Sequence, residues 1–166
     1  MAFLWNKENI PQRGWVCIDV EDLEDTIHTC EMCGNENVRY VHWMHHPEHV
    51  PDLRVGCVCA EKMADGYEGV SRERRLKNRA ARRAKWVKRY WPQRLISDRP
   101  IVVGMQLKTQ GYKFCIVPVT GGWRGSITLP TGRVIQGRRT FNDLNTLKLI
   151  LFDYVWPRRL GPTTHQ

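Results

Sequence analysis

Four of the six cysteines come as two close pairs, Cys30/Cys33 in CEMCG and Cys57/Cys59 in VGCVCAEKM. In a reducing compartment such pairs are more often metal ligands than disulfides. Zinc takes four donors in a tetrahedron, mostly thiolate and imidazole. The C-x-x-C turn at 30–33, closed by Gly34, makes one knuckle carrying two sulfurs. A hairpin of residues 38–45 and 53–59 would return the chain to it. Cys57 and Cys59, alternating along the end of that hairpin, would then face the same side. Cys59 would also open a helix, whose positive end favours a thiolate. Cys30, Cys33, Cys57 and Cys59 are therefore the expected zinc ligands. Four thiolates leave no open position, so the zinc is expected to hold the fold and not to catalyse. The C-x-C spacing is tight for a second pair, so His42 or His46 stays open as a replacement for one cysteine. His45 and His49 read as ordinary turn or strand positions.

A catalytic arrangement would need three ligands and a water, with Glu48 or Glu61 as general base. The H-x-E and P-C-x-x-C order of a zinc deaminase is absent. So are a phosphate-binding Walker loop, a nucleophile elbow and an H-E-x-x-H helix. The acid run Asp19, Glu21, Asp22, Glu24 and Asp25 could bind magnesium, but such runs commonly form a solvated face. No catalytic residue is assigned, and the chain is expected not to be an enzyme.

The second chemical signal is charge. Residues 1–70 hold 5 Lys/Arg and 13 Asp/Glu, whereas residues 71–95 hold 11 Lys/Arg and one acid. The remaining residues carry 10 Lys/Arg and 3 Asp/Glu, and the whole chain is +9. Like charges at helical spacing repel by a few tenths of a kcal/mol per pair. A polyanion relieves that repulsion through counterion release. Arginine outnumbers lysine eight to three between 71 and 95, and its fork suits phosphate and guanine edges. Arg72, Arg75, Arg79, Arg82, Arg83, Lys85 and Arg89 are the expected nucleic-acid contacts. Tyr90 and Trp86 lie among them and could stack on bases, although burial is the simpler role for Trp86. Two alternatives stay open. The helix could show a solvated face, or it could pack on the acids of residues 19–25.

These residues need elements to position them. SRERRLKNRAARRAKWVKRYW, residues 71–91, reads as one helix capped by Ser71 and stopped by Pro92. Leu76, Ala80, Ala84, Val87 and Trp91 would form its apolar stripe. Before it, strands are expected near 15–18, over NVRYVHWM and over LRVGCVC, then a short helix over AEKMADGY. After it, YKFCIVPV, WRGSITL and RVIQGRRTF read as three strands. DLNTLKLILFDYVW reads as a helix capped by Asn142, with Leu144, Leu147, Leu151 and Tyr154 or Val155 toward the sheet. The expected class is α+β. It comprises a zinc-stabilised module at 1–70, a basic helix at 71–95, a three-stranded antiparallel sheet with one packed helix at 96–157, and a loose tail at 158–166.

Residues 28–68, through CEMCG, RYVHWMHHPEH and VGCVCAEKM, resemble a motif of small bacterial, phage and mobile-element proteins. That resemblance implies a treble-clef-like metal module and no particular activity. The C-terminal segment is similar in layout to AP2-like β-β-β-α domains, in its Gly-Trp start to the second strand and its Thr-Phe entry to the helix. Such domains bind DNA through the sheet, which implies Lys113, Arg124, Arg133, Arg138 and Arg139 as a basic face. Trp123 reads as sheet core.

At 166 residues and 42% hydrophobic, the chain can bury a core. It has no apolar run of membrane-spanning length and no secretory leader pattern, and it is expected to be cytoplasmic. The expected function is non-catalytic, zinc-containing nucleic-acid binding, with DNA ahead of RNA, regulatory or accessory to a phage or mobile element. The other class is a protein-interaction or inhibitor module whose basic helix covers an acidic partner surface.

Overall fold

The computed structural model describes residues 3–95 and 103–162. Among these residues two antiparallel sheets, of three and five strands, and three α-helices give an α+β fold. It divides into two units, Met1–Ala80 with Arg158–Gln166, and Ala81–Pro157. Among the described residues no helix is long and apolar enough to cross a membrane.

In the first unit β1 (Val16–Asp22), β2 (Tyr40–His46) and β3 (His49–Val55) form an antiparallel sheet in sequence order. The aromatic and β-branched run expected to form β2 does so, and turns at its histidine–proline end into β3. Val20, Val41, Met44, Leu53 and Val55 fill the core with Trp15, Met32, Met63 and Leu76. One correction matters for the site. The strand LRVGCVC ends at Val55, and Cys57 already opens helix α1 (Cys57–Met63) behind the extended Gly56.

Helix α2 (Gly69–Trp86) starts before the expected Ser71 cap and stops short of Pro92. Residues five apart on a continuous helix lie roughly 140° apart around the axis. Leaving the helix after Trp86 lets both Trp86 and Trp91 enter one core, where their rings meet edge to face with centroids 5.6 Å apart. The buried positions of α2 also differ from the expected stripe. Arg72, Leu76, Arg79 and Trp86 are buried, whereas Ala84 is exposed. Two arginines can sit inside because each has partners there.

The second unit is a meander of β4 (Gln93–Leu95), β5 (Val103–Thr109), β6 (Tyr112–Val119), β7 (Gly122–Thr128) and β8 (Val134–Gln136). The sheet has five strands where three were expected. Its third expected strand, RVIQGRRTF, is cut to β8. The Gly137 amide bonds the Gly125 carbonyl at 2.8 Å, and the chain then returns only as an isolated bridge between Phe141 and Trp123. Helix α3 (Leu144–Val155) buries Leu147, Leu151 and Phe152. Val155 packs on the core and Tyr154 is exposed. Its cap is Asp143 and not Asn142, because Asp143 reaches the Thr146 amide at 2.9 Å, three residues on.

Residues 158–162, expected as loose tail, are docked. Glu21 and Arg159 form a bridge, the Leu160 amide bonds the Val20 carbonyl at 3.0 Å, and the Gly161 amide bonds Asp19 at 2.9 Å. An edge strand presents unpaired backbone groups, and this segment covers those of β1.

Candidate metal centre and basic surface

The knuckle is built before β2. The Cys30 amide bonds the Asn35 carbonyl and the Gly34 amide bonds the Cys30 carbonyl, both at 2.8 Å. Gly34 holds φ +79°, and a Cβ there would lie 2.0 Å from the Phe3 ring, so only glycine fits this turn. The Glu31 amide bonds the Arg54 carbonyl at 3.1 Å, tying the knuckle to the end of the hairpin.

The sulfurs of Cys30, Cys33 and Cys59 lie within 4.8 Å of one another. Cys30 and Cys59 are buried and Cys33 is exposed. A tetrahedral ion with bonds of about 2.3 Å holds sulfurs about 3.8 Å apart, so a small closure of this trio suffices to take one. The donors around it suit thiolates. The Gly56 amide points at Cys30 Sγ and the Trp5 indole N–H at Cys59 Sγ, each at 3.4 Å. A hydrogen bond from the Cys59 thiol, aided by the amides of Gly56, Cys33 and Met32, outweighs burial and holds the Cys30 thiol down to about 5. Cys59 is correspondingly pushed up, because it is the donor to Cys30 and is also buried.

Cys57 is placed elsewhere, and the reason is geometric. On a strand, residues two apart share a face. On a helix they point roughly 200° apart. Because α1 begins at Cys57, Cys59 turns to the knuckle while Cys57 groups with His42 on β2 and Glu73 on α2. His42, the alternative ligand, is fully buried, with Nδ1 2.7 Å from the Tyr67 hydroxyl and Nε2 3.1 Å from Glu73 Oε1. His46, the other alternative, accepts the Glu48 amide and packs on Trp15. It belongs to neither group.

The expected nucleic-acid contacts separate by burial. Arg72 donates to the Gly161 carbonyl and to Cys17 Sγ. Arg79 lies 3.6 Å from Glu24. Arg83 holds Asp153 through two bonds of 2.7 and 2.8 Å. These three serve the fold. Several acids of the 19–25 run are matched by the chain's own arginines. Asp22 pairs with Arg39, Glu24 with Arg79, Glu21 with Arg158 and Asp19 with Arg159. Packing of α2 on that run is thus realised at Arg79.

Arg75 is exposed on the first unit. In the second unit Arg82, Lys85 and Arg89 converge, together with Lys88. They line a cavity of about 360 Å³ floored by Trp86, Phe152 and Trp156. The Arg82 guanidinium lies 4.9 Å from the Trp156 ring centroid, and Arg89 lies 5.9 Å from that of Trp86. The tight turn that ends α2 gathers these cations. The Lys88 amide bonds the Lys85 carbonyl and the Arg89 amide that of Trp86, both at 3.2 Å. Their charge also suits a helix C-terminus. Trp86 itself is buried, donating from Nε1 to the Lys148 carbonyl at 2.8 Å, whereas Tyr90 is 79% exposed. Arg124, Arg138 and Arg139 are exposed on the second unit, with Arg124 3.2 Å from Thr140 Oγ1 and Arg139 over the Phe141 ring.

Sequence reasoning missed Glu73, Lys88, Phe152 and Trp156 as members of these sites. Glu73 carries a readable signal, since it is the one acid in a stretch of eleven cations. Trp156 does not, because it reaches the cavity from a helix distant in sequence. No protein-family model, curated protein or solved structure matches the chain.

Proposed function

We propose that this chain is a non-catalytic, zinc-containing nucleic-acid-binding protein. The observation that carries the reading is the cavity rimmed by Arg82, Lys85, Lys88 and Arg89 over an aromatic floor. Cations at its rim suit phosphates, and the exposed ring of Tyr90, next in sequence to Arg89, offers a base a stacking face. Cys30, Cys33 and Cys59 would supply three thiolates to a zinc ion of treble-clef type, between knuckle, hairpin and helix. With Cys57 placed elsewhere the fourth position is left to water or another donor, and the part proposed for the ion is to hold the first unit folded. DNA is the form proposed first, with Arg124, Arg138 and Arg139 as a further basic face.

The test is binding to labelled duplex and single-stranded oligonucleotides over a salt series, with metal content assayed on the same sample. Affinity should fall steeply with salt. Arg82→Glu with Arg89→Glu should weaken binding at least tenfold and flatten the salt slope by about one for each phosphate no longer neutralised. Binding that ignores both substitutions, or no binding at low salt, would overturn the reading. In the latter case an acidic protein surface becomes the partner to seek.

A further inference from the structure

We propose a second transition-metal site in the first unit, formed by His42 Nε2, Cys57 Sγ and a carboxylate oxygen of Glu73. It is separate from the three-thiol centre and does not depend on nucleic-acid binding. The three donors come from β2, α1 and α2 and lie within 4.8 Å of one another. Nε2 and Oε1 of Glu73 are 3.1 Å apart. A tetrahedral zinc with bonds of about 2.05 Å holds such a pair at about 3.3 Å, so these two already stand near ligand spacing.

The imidazole is also set in the required orientation. Its Nδ1 lies 2.7 Å from the Tyr67 hydroxyl, edge to face with that ring, and can donate its proton there. Nε2 in turn donates to Glu73 Oε1, and a metal would take that proton's place, with the ring held through its other nitrogen. A buried histidine needs only a carboxylate for satisfaction. A thiol brought to the same point is surplus to that need and is the donor a soft ion prefers.

The backbone makes room for the thiol. A Cβ on Gly69, the first residue of α2, would lie 2.9 Å from Cys57 Sγ. The cradle for this sulfur therefore depends on a residue without a side chain. A nitrogen, a sulfur and an oxygen donor select the zinc and cobalt class over magnesium or calcium. Three protein donors leave one coordination position open. Cys57 and Glu73 both line a cavity of about 380 Å³, whose wall also includes Arg39 and Tyr40 and, from the three-thiol centre, Cys30, Cys33 and Cys59, so the two donor sets share no residue but open on one cavity. The free position can be filled from there by water or a small anion.

The experiment counts metal on the full chain, purified under reducing conditions. Zinc(II) and cobalt(II) are titrated against a chromophoric chelator. Two equivalents are expected. Cys57→Ser and Glu73→Gln should each weaken the second by ~100-fold or more, beyond the ten- to hundredfold typical of outer-shell changes, and leave the first intact. In the cobalt form, thiolate charge-transfer absorption should drop by about one cysteine's share in Cys57→Ser and hold in Glu73→Gln at saturating metal. Glu73→Gln preserves shape and the bond to His42, so it separates ligation from folding. One equivalent in the wild-type chain overturns the proposal, and if that equivalent weakens with Cys57→Ser, Cys57 belongs to the three-thiol centre. Two equivalents untouched by either substitution overturn it as well.

Discussion

Both carboxylate oxygens of Asp22 bond the guanidinium of Arg39, at 2.7 and 3.0 Å, and no part of the Asp22 side chain reaches solvent. Burial alone would raise its pKa. The Arg39 hydrogen bonds, the Glu24 amide and the charges of Arg39 and Arg79 outweigh it and hold the carboxyl below its ordinary value of 3.8. A depressed carboxyl stabilises the fold fully above its unfolded pKa, and that contribution is lost as pH falls through the folded value. The first unit should therefore weaken on acidification below about pH 4. Asp22→Asn should cost about 1–3 kcal/mol at neutral pH, the worth of charge-assisted hydrogen bonds. It should also flatten the acid limb. Melting temperatures from about pH 3 to 7 for both proteins check this, and an unchanged acid limb in Asp22→Asn would refute it.

Removing the metal proposed at Cys30, Cys33 and Cys59 should act on one unit. Cys30→Ser or Cys33→Ser, or a strong chelator, should lower metal content and unfold residues 3–80. The Phe114 and Trp86 core of the second unit should keep its packing. Hydrogen exchange read by segment distinguishes this from global loss, and equal loss of protection in β6 would count against it.

Trp86→Ala should cost about 3–5 kcal/mol in the second unit. Its ring meets those of Trp91, Phe114, Phe152 and Trp156 at centroid distances of 5.2 to 5.8 Å, and its N–H satisfies the buried Lys148 carbonyl. Denaturant unfolding followed by near-ultraviolet circular dichroism reads the effect. Substituting exposed Tyr90 by alanine should leave stability within about 0.5 kcal/mol.

Asp19→Ala should release residues 158–162, because Asp19 accepts from both the Gly161 amide and Arg159. The expected cost is about 1–2 kcal/mol, with Leu160 losing its place against the core. Limited proteolysis near residue 158 should become faster, and an unchanged cleavage rate would show that the segment is held by other interactions.

What could be read from sequence followed local periodicity. YKFCIVPV is β6 to the residue, and the leucines of α3 face the sheet as their spacing implies. The knuckle was legible because C-x-x-C-G is a local device. The roles of Cys57 and Cys59 were not, since they turn on whether residue 57 ends a strand or opens a helix, a boundary that shifts the pair from one face to two. Strand β5, unlike these, does carry a local signal. Gln110 and Gly111 both hold positive φ in a two-residue turn between Thr109 and Tyr112. The buried arginines of α2 were illegible for a different reason. Their partners, Glu24 and Gly161, lie far away in sequence. Expected strand or tail features on residues 96–102 and 163–166 lie outside the described residues.

The docking of residues 158–162 on β1 also sets an order of events at the ribosome. The edge of β1 waits for a segment made more than a hundred residues later, after all of Ala81–Pro157 has been translated. At about 5–20 residues per second the delay is on the order of ten seconds. During that interval the nascent chain displays an uncovered strand edge. A chaperone that covers strand edges would have the most to do in that window, and the translation rate through the second unit determines how long it stays open.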